Sequence, residues 1–384
     1  MRKKYIFGKK LYISVLTSIL VLLTTVATTF AWVGVFANST FETFDIGIKG
    51  SNLVEYGIEI SATGEEGTFS DSIPFIDIKK QILVNCGYDV SDLSSETIIN
   101  NVFNSLDLDQ CTTLPNIEDN KIVSLGTFKD LYSFETKLLY KFDIYVSAKK
   151  NYDTGSSDFK LDAYLNKGLM TGHVKDHDLI NKYTYPEDFI NPLSASTLPS
   201  NVVPLVAGDV ITTVRTDSSS SARVAFEKYK VVSKYHPEEY TDSSTPKSAV
   251  IYQTGSDYPL MYTDTGVHSF GGILKDEYSV STTYYNSTEW RFYNSKGFIK
   301  TISISDEMYN ARGVDSVTKD LTLSSNNNHL IDSNNPNEQI GIDQMMKITC
   351  YFWFEGWDAD CIPSLNFSPV DINIVLNMTN DEEF

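Results

Sequence analysis

The densest set of side chains that could do chemistry is the segment Trp353-Phe354-Glu355-Gly356-Trp357-Asp358-Ala359-Asp360-Cys361. Glu355, Asp358 and Asp360 offer the hard oxygen donors that calcium takes. Trp353 and Trp357 offer flat apolar faces on which a sugar can stack, with the carboxylates near enough to hydrogen-bond its hydroxyls. On an extended strand Trp353, Glu355 and Trp357 share one face, and Gly356 marks a bend or bulge. The competing reading needs no ligand: both tryptophans are core, and the acids cap a turn closed by Cys361. No cofactor is expected, and calcium at this segment is the one alternative.

Other constellations carry less. His173, Asp176, His177 and Asp178 have metal-like spacing, but the two histidines meet only on a helix face. Gly172 and the polar surroundings favour a solvated loop there. Asp107 with Asp109, or Asp371 with a distant acid, are pairs that any acidic chain of this size supplies by chance. No nucleophile elbow, dinucleotide or phosphate loop, or HExxH run occurs. The expectation is a protein without catalytic residues.

The four cysteines, Cys86, Cys111, Cys350 and Cys361, fall into two sequence-local pairs. In an exported chain such pairs read as disulfides. A Cys350–Cys361 bond would close a short loop, worth about 3 kcal/mol on the chain-entropy estimate. A Cys86–Cys111 bond would staple the region between them. Buried thiols are the alternative, and no CxxC occurs to suggest zinc or redox chemistry.

What positions these residues begins with the leader. Met1 to Lys10 contains Arg2, Lys3, Lys4, Lys9 and Lys10 and no acid, and Leu11 to Phe41 contains no charge at all. A basic head before an apolar run is read as an export signal, with the basic side left in the cytoplasm. Residues 1–37 are therefore expected to be a signal peptide or an N-terminal membrane anchor, and 38–384 the working domain, outside the cytoplasm. The threonines and serines in the run favour cleavage over residence in the bilayer. Membrane contact is expected only through residues 11–37, if they are retained. The net charge of −19 argues against nucleic-acid or anionic-lipid partners.

Past the leader the chain reads as mainly β: an antiparallel, jelly-roll-like sandwich with a helical insertion and long surface loops. Alternation predicts strands over 44–48 and 57–61 (joined as a hairpin), 140–147 and 159–165 (antiparallel neighbours), 202–214, 223–232, 249–252, 290–293, 298–304, 346–354 and 370–378. Between about 76 and 111 the period becomes helical. Gly87 stops one helix there, and Ser94 caps a second whose apolar face is Ile98, Ile99, Val102, Phe103 and Leu106. Residues 166–201 read as a loop excursion, and Ser324 to Gln339, with six asparagines, as low-complexity loop. The first and last strands lie at the chain ends, where they can pair with each other or be lent to a neighbouring molecule.

Three segments carry a resemblance. Thr28-Thr29-Phe30-Ala31-Trp32 resembles the leader junction of secreted surface proteins from low-G+C Gram-positive bacteria, and the leader is similar to that of TasA/camelysin-like biofilm-matrix proteins. Ser221-Ala222-Arg223-Val224-Ala225-Phe226 and the segment from Trp353 to Cys361 resemble stretches of uncharacterised proteins in the same surface group. The resemblance implies an exported envelope or matrix protein and brings no catalytic site with it. The functional expectation is a cell-surface or extracellular-matrix structural protein, a fibre subunit assembling by strand addition. Its partners would be copies of itself or other surface proteins. A surface adhesin or glycan-binding module is the alternative, and a secreted hydrolase the third reading.

Overall fold

A computed structural model describes residues 44–48, 55–93, 95–106, 108, 110–119, 121–130, 139–151, 158–166, 168–172, 174–184, 208–217, 219, 221–241, 244–253, 260–263, 266–269, 279–280, 290–293, 299–302, 318–321, 325–355 and 370–378. The chain divides into two units, Met1–Asn38 and Ser39–Phe384, and the first lies wholly outside these residues.

The elements begin with β1 (Phe44–Ile48), β2 (Tyr56–Ser61), α1 (Phe75–Asn85) and α2 (Glu96–Phe103). Then come β3 (Gln110–Glu118), β4 (Lys121–Asp130), β5 (Tyr140–Lys150), β6 (Ala163–Leu165), β7 (Met170–Gly172) and β8 (Val174–Thr184). The middle holds β9 (Val210–Asp217), β10 (Ala222–Ser233), β11 (Ser248–Gln253), β12 (Leu260–Thr263), β13 (Gly266–Ser269), β14 (Ser279–Val280), β15 (Trp290–Tyr293) and β16 (Ile299–Ile302). The last are β17 (Lys319–Asp320), β18 (His329–Ile331), β19 (Gln344–Glu355) and β20 (Val370–Asn377).

The protein is mainly β, and its core is sandwich-like. One sheet runs β1-β20-β6-β18, with β7 also on β20. The larger sheet has β19 at its centre, with β10, β11 and β17 on one side and β5 and β2 on the other; β3 takes over the β5 edge at Phe354 and Glu355. Most pairings are antiparallel, while β1/β20, β3/β19 and β11/β17 are parallel. Further sheets run β13-β12-β9-β8 and β14-β15-β16.

Strand alternation builds the core directly. In β20, Val370, Ile372, Ile374 and Leu376 are buried while the residues between are half-exposed. They join Phe142, Ile144 and Val146 of β5 and Met346, Ile348, Cys350 and Phe352 of β19 in the main cluster. Each such side chain contributes about 1.5–3 kcal/mol on full burial. β19 is buried on both faces because the β3–β4 hairpin covers its other side. Ile122, Leu125 and Phe128 pack there against Tyr351, Trp353, Ala225 and Ile251 in a second cluster.

The helical insertion forms as its period predicts. Ile78, Ile82 and Leu83 of α1 face the core, and Gly87 follows in the left-handed region at φ +86. Ser95, and not Ser94, caps α2: its side chain accepts from the Ile98 amide at 3.3 Å. Ile99 and Phe103 are buried, whereas Ile98 is exposed.

Three expectations about connection are corrected. β1 and β2 do not form a hairpin; β1 joins the smaller sheet and β2 pairs with β5. β5 and β6 are not neighbours, because the chain crosses between sheets after Lys150. The 166–201 excursion contains β7 and β8, and β8 pairs with β9. Alternation identifies a strand but not its partner.

Candidate functional site

The structure puts the two described members of the C-terminal cluster inside the molecule. Trp353 and Glu355 are both at 0% exposure, and the indole Nε1 donates to Glu355 Oε2 at 3.0 Å. Phe128 stands edge-on to Trp353 with ring centroids 5.2 Å apart. Trp353 is therefore core and no sugar platform. Glu355, sealed beside it, is not placed to collect a calcium ion from solvent. The reason is the hairpin: sequence pattern did not reveal that β3–β4 would roof this face. Trp357, Asp358, Asp360 and Cys361 lie outside the described residues.

The disulfide expectations are also corrected where they can be followed. Cys86 and Cys350 are thiols. Cys350 points into the main cluster, in register with Phe226 and Phe142, and burial holds its thiol well above the usual range. Cys86 ends α1 half-buried against the main cluster, and Cys111 is buried in the second cluster. The two sulfurs thus belong to different packing layers, and no bond joins them.

On the roofed face the sheet carries a polar seam that is buried at Glu227 and Tyr351 and half-buried at Asp143. Glu227 of β10 accepts from the Leu125 amide at 2.7 Å through one oxygen and from the Tyr351 hydroxyl at 2.7 Å through the other. Burial first, then the Glu227 charge, drives the Tyr351 phenol far above its ordinary range. Below it, Asp143 accepts from Thr349 Oγ1 at 2.6 Å and pairs with Lys347 at 2.9 Å. These groups rivet hairpin and strands together. Every carboxylate oxygen named here is already engaged, so the seam holds structure.

Among the described residues, a further titratable cluster lies where β6 and β18 meet. Asp162, His329 and Asp332 each bring one donor atom within 4.8 Å of the others. Asp162 immediately precedes β6, His329 opens β18 opposite Tyr164, and Asp332 follows β18. The His329 ring stacks on Tyr164 with centroids 4.3 Å apart. Behind the cluster, Lys228 pairs with Glu338 at 2.5 Å, both nearly buried, and also donates to the Leu330 carbonyl at 2.9 Å. Glu338 further accepts from the Asp332 amide, Asn335 Nδ2 and Ser248 Oγ.

The cluster is not legible in the sequence, because His329 and Asp332 lie in the asparagine-rich stretch while Asp162 sits in a strand-like run more than 160 positions away. A signal for its turns was present. Asp332 accepts from the Asn334 amide, and Asn335 from the Asn337 amide, so the Asx residues sit at the two-residue offset of successive turns. Asp176, His177 and Asp178 lie in the strand Val174–Thr184 and not on a helix, and His173 lies outside the described residues.

No known protein family, curated protein or solved structure matches this chain. Among the described residues no helix is long and apolar enough to cross a membrane.

Proposed function

We propose that this chain is an exported cell-surface or extracellular-matrix structural protein, a subunit that assembles with copies of itself by exchanging its first strand. The observation that carries this reading is the seating of β1. Its five residues run parallel to the last strand, with Phe44 opposite Ile372 and Ile48 opposite Leu376. On its other edge the Ile48 amide donates to the Asp71 carbonyl at 3.0 Å, and Ile46 accepts from the Ile73 amide at 3.1 Å. β1 thus fills a slot between β20 and residues 71–73, with Ile46 in the main core. Taking β1 away would leave both backbone edges of the slot unpaired and the core open at Ile46. A strand of this kind can be supplied by the same chain or by a neighbour at similar enthalpy.

The basic, apolar leader immediately before β1 and the acidic surface fit an exported subunit. The engaged carboxylates of the seam, Glu227 buried and Asp143 half-buried, favour this reading over a hydrolase, which needs carboxylates with pKa values pushed apart in an open cleft.

The test is light scattering on the chain from Phe41 onward, across salt and calcium concentrations, beside a chain beginning at Lys49. The full working domain is expected to form oligomers. The shortened one is expected to remain unassembled and to bind a synthetic peptide of residues 41–50. If the first stays monomeric in every condition and the second takes up no peptide, strand exchange is wrong.

A further inference from the structure

We propose that Asp162, His329 and Asp332 form a binding site for a divalent transition-metal ion of the zinc type, clamping β6, β18 and the loop after β18. This is independent of the strand-exchange reading.

The donor set selects the ion. One imidazole nitrogen with two carboxylate oxygens suits zinc and its first-row neighbours, while calcium takes six to eight oxygens. The spacing fits as well. Zinc ligands at about 2.0–2.2 Å in tetrahedral array stand roughly 3.3 Å from one another. His329 Nε2 and Asp162 Oδ1 are 3.1 Å apart, so one ion can replace the proton they share. The span of 4.8 Å across all three donors closes with a small turn of the Asp332 side chain.

The supports around the three ligands are those that a metal site needs. Asp162 accepts from the Ser333 amide and hydroxyl, both at 2.8 Å. Asp332 accepts from the Asn334 amide at 2.8 Å and the Asn334 side-chain nitrogen at 3.1 Å. These bonds leave a second oxygen of Asp332 to turn toward the ion. The stack on Tyr164 fixes the plane of the imidazole. All three ligands are half-buried, so an ion can enter and a water can complete its shell.

The experiment uses the chain from Phe41 onward, stripped with a chelator and dialysed. Zinc titration followed by calorimetry should show one equivalent bound, a raised melting temperature and no competition from millimolar calcium. Cobalt in place of zinc should give visible absorption of a four-coordinate centre with a nitrogen ligand. His329→Ala should abolish that spectrum. Asp332→Asn, which keeps the side-chain shape and the Tyr164 stack, should weaken zinc at least about tenfold. The proposal is overturned if the stripped protein takes up no zinc, or if both variants bind it as the parent does.

Discussion

Gln81 completes the hydrogen-bond ladder of Asp143. Its side-chain Oε1 accepts from the Asp143 amide at 2.7 Å, and its Nε2 donates to the Asp143 carbonyl at 3.0 Å. One turn later Asn85 Nδ2 donates to the Lys141 carbonyl at 2.7 Å. β2 pairs with β5 only as far as Ser61 opposite Tyr145, so the edge of β5 would be bare beyond that point. Two amides four residues apart on one face of α1 take the place of the missing strand. Gln81→Leu should therefore cost about 1–3 kcal/mol, the penalty for stranded backbone groups, though it keeps the helix. Urea denaturation reads the cost, and hydrogen exchange at the Asp143 amide should rise.

The hairpin roof has a tight point at the bulge opposite Leu114. Gly126 sits at φ +66, and a Cβ there would collide with the Leu114 carbonyl oxygen. Gly126→Ala should destabilise the protein by at least about 1–3 kcal/mol, from backbone strain plus displacement of β4. If the roof lifts, Trp353 becomes wet, so its fluorescence should shift to the red and become open to quenchers. Unchanged stability and emission would show that this point yields without cost.

Lys228 and Glu338 form a buried ion pair between β10 and the loop after β18. Glu338→Ala leaves Lys228 buried without its counter-charge and also removes the acceptor of the Asp332 amide. The expected loss is about 3–5 kcal/mol. Lys228→Met combined with Glu338→Leu should lose much less, because no charge is stranded. Thermal denaturation of the three variants separates charge stranding from simple loss of packing.

Stability should fall in alkali. Burial lifts the Cys86 thiol from 9.0 to about 11. It lifts the Tyr145 phenol, with help from the Asp143 charge, from 10.0 to about 12. Both groups are neutral in the folded state over a range where the unfolded chain has ionised. Their contribution is complete below about pH 9 and is lost as pH rises toward 12. Denaturation midpoints against pH should drop across that window, and Tyr145→Phe with Cys86→Ala should flatten the slope. Iodoacetamide should label Cys86 slowly at pH 8 in the parent.

Much of the scaffold was legible because strand alternation and helix period are local. The alternation over 370–376 and the stop at Gly87 needed no knowledge of neighbours. The β3–β4 hairpin was not read, although Asp119 at φ 49 marks its turn. Its bulged register around Leu114 breaks the alternation that would have announced it.

The amino-acid sequence alone determined that strands alternate around an apolar core, that two short helices interrupt them, and that a segment with a basic start and a long uncharged run precedes them. Each of these depends on residues a few positions apart. Tertiary structure decided that Trp353 and Glu355 are sealed, that Cys86 and Cys111 lie in different layers, and that Asp162 meets His329. Those outcomes depend on which strand pairs with which and on what covers each face. Pairing joins residues more than a hundred positions apart, and no local period records it.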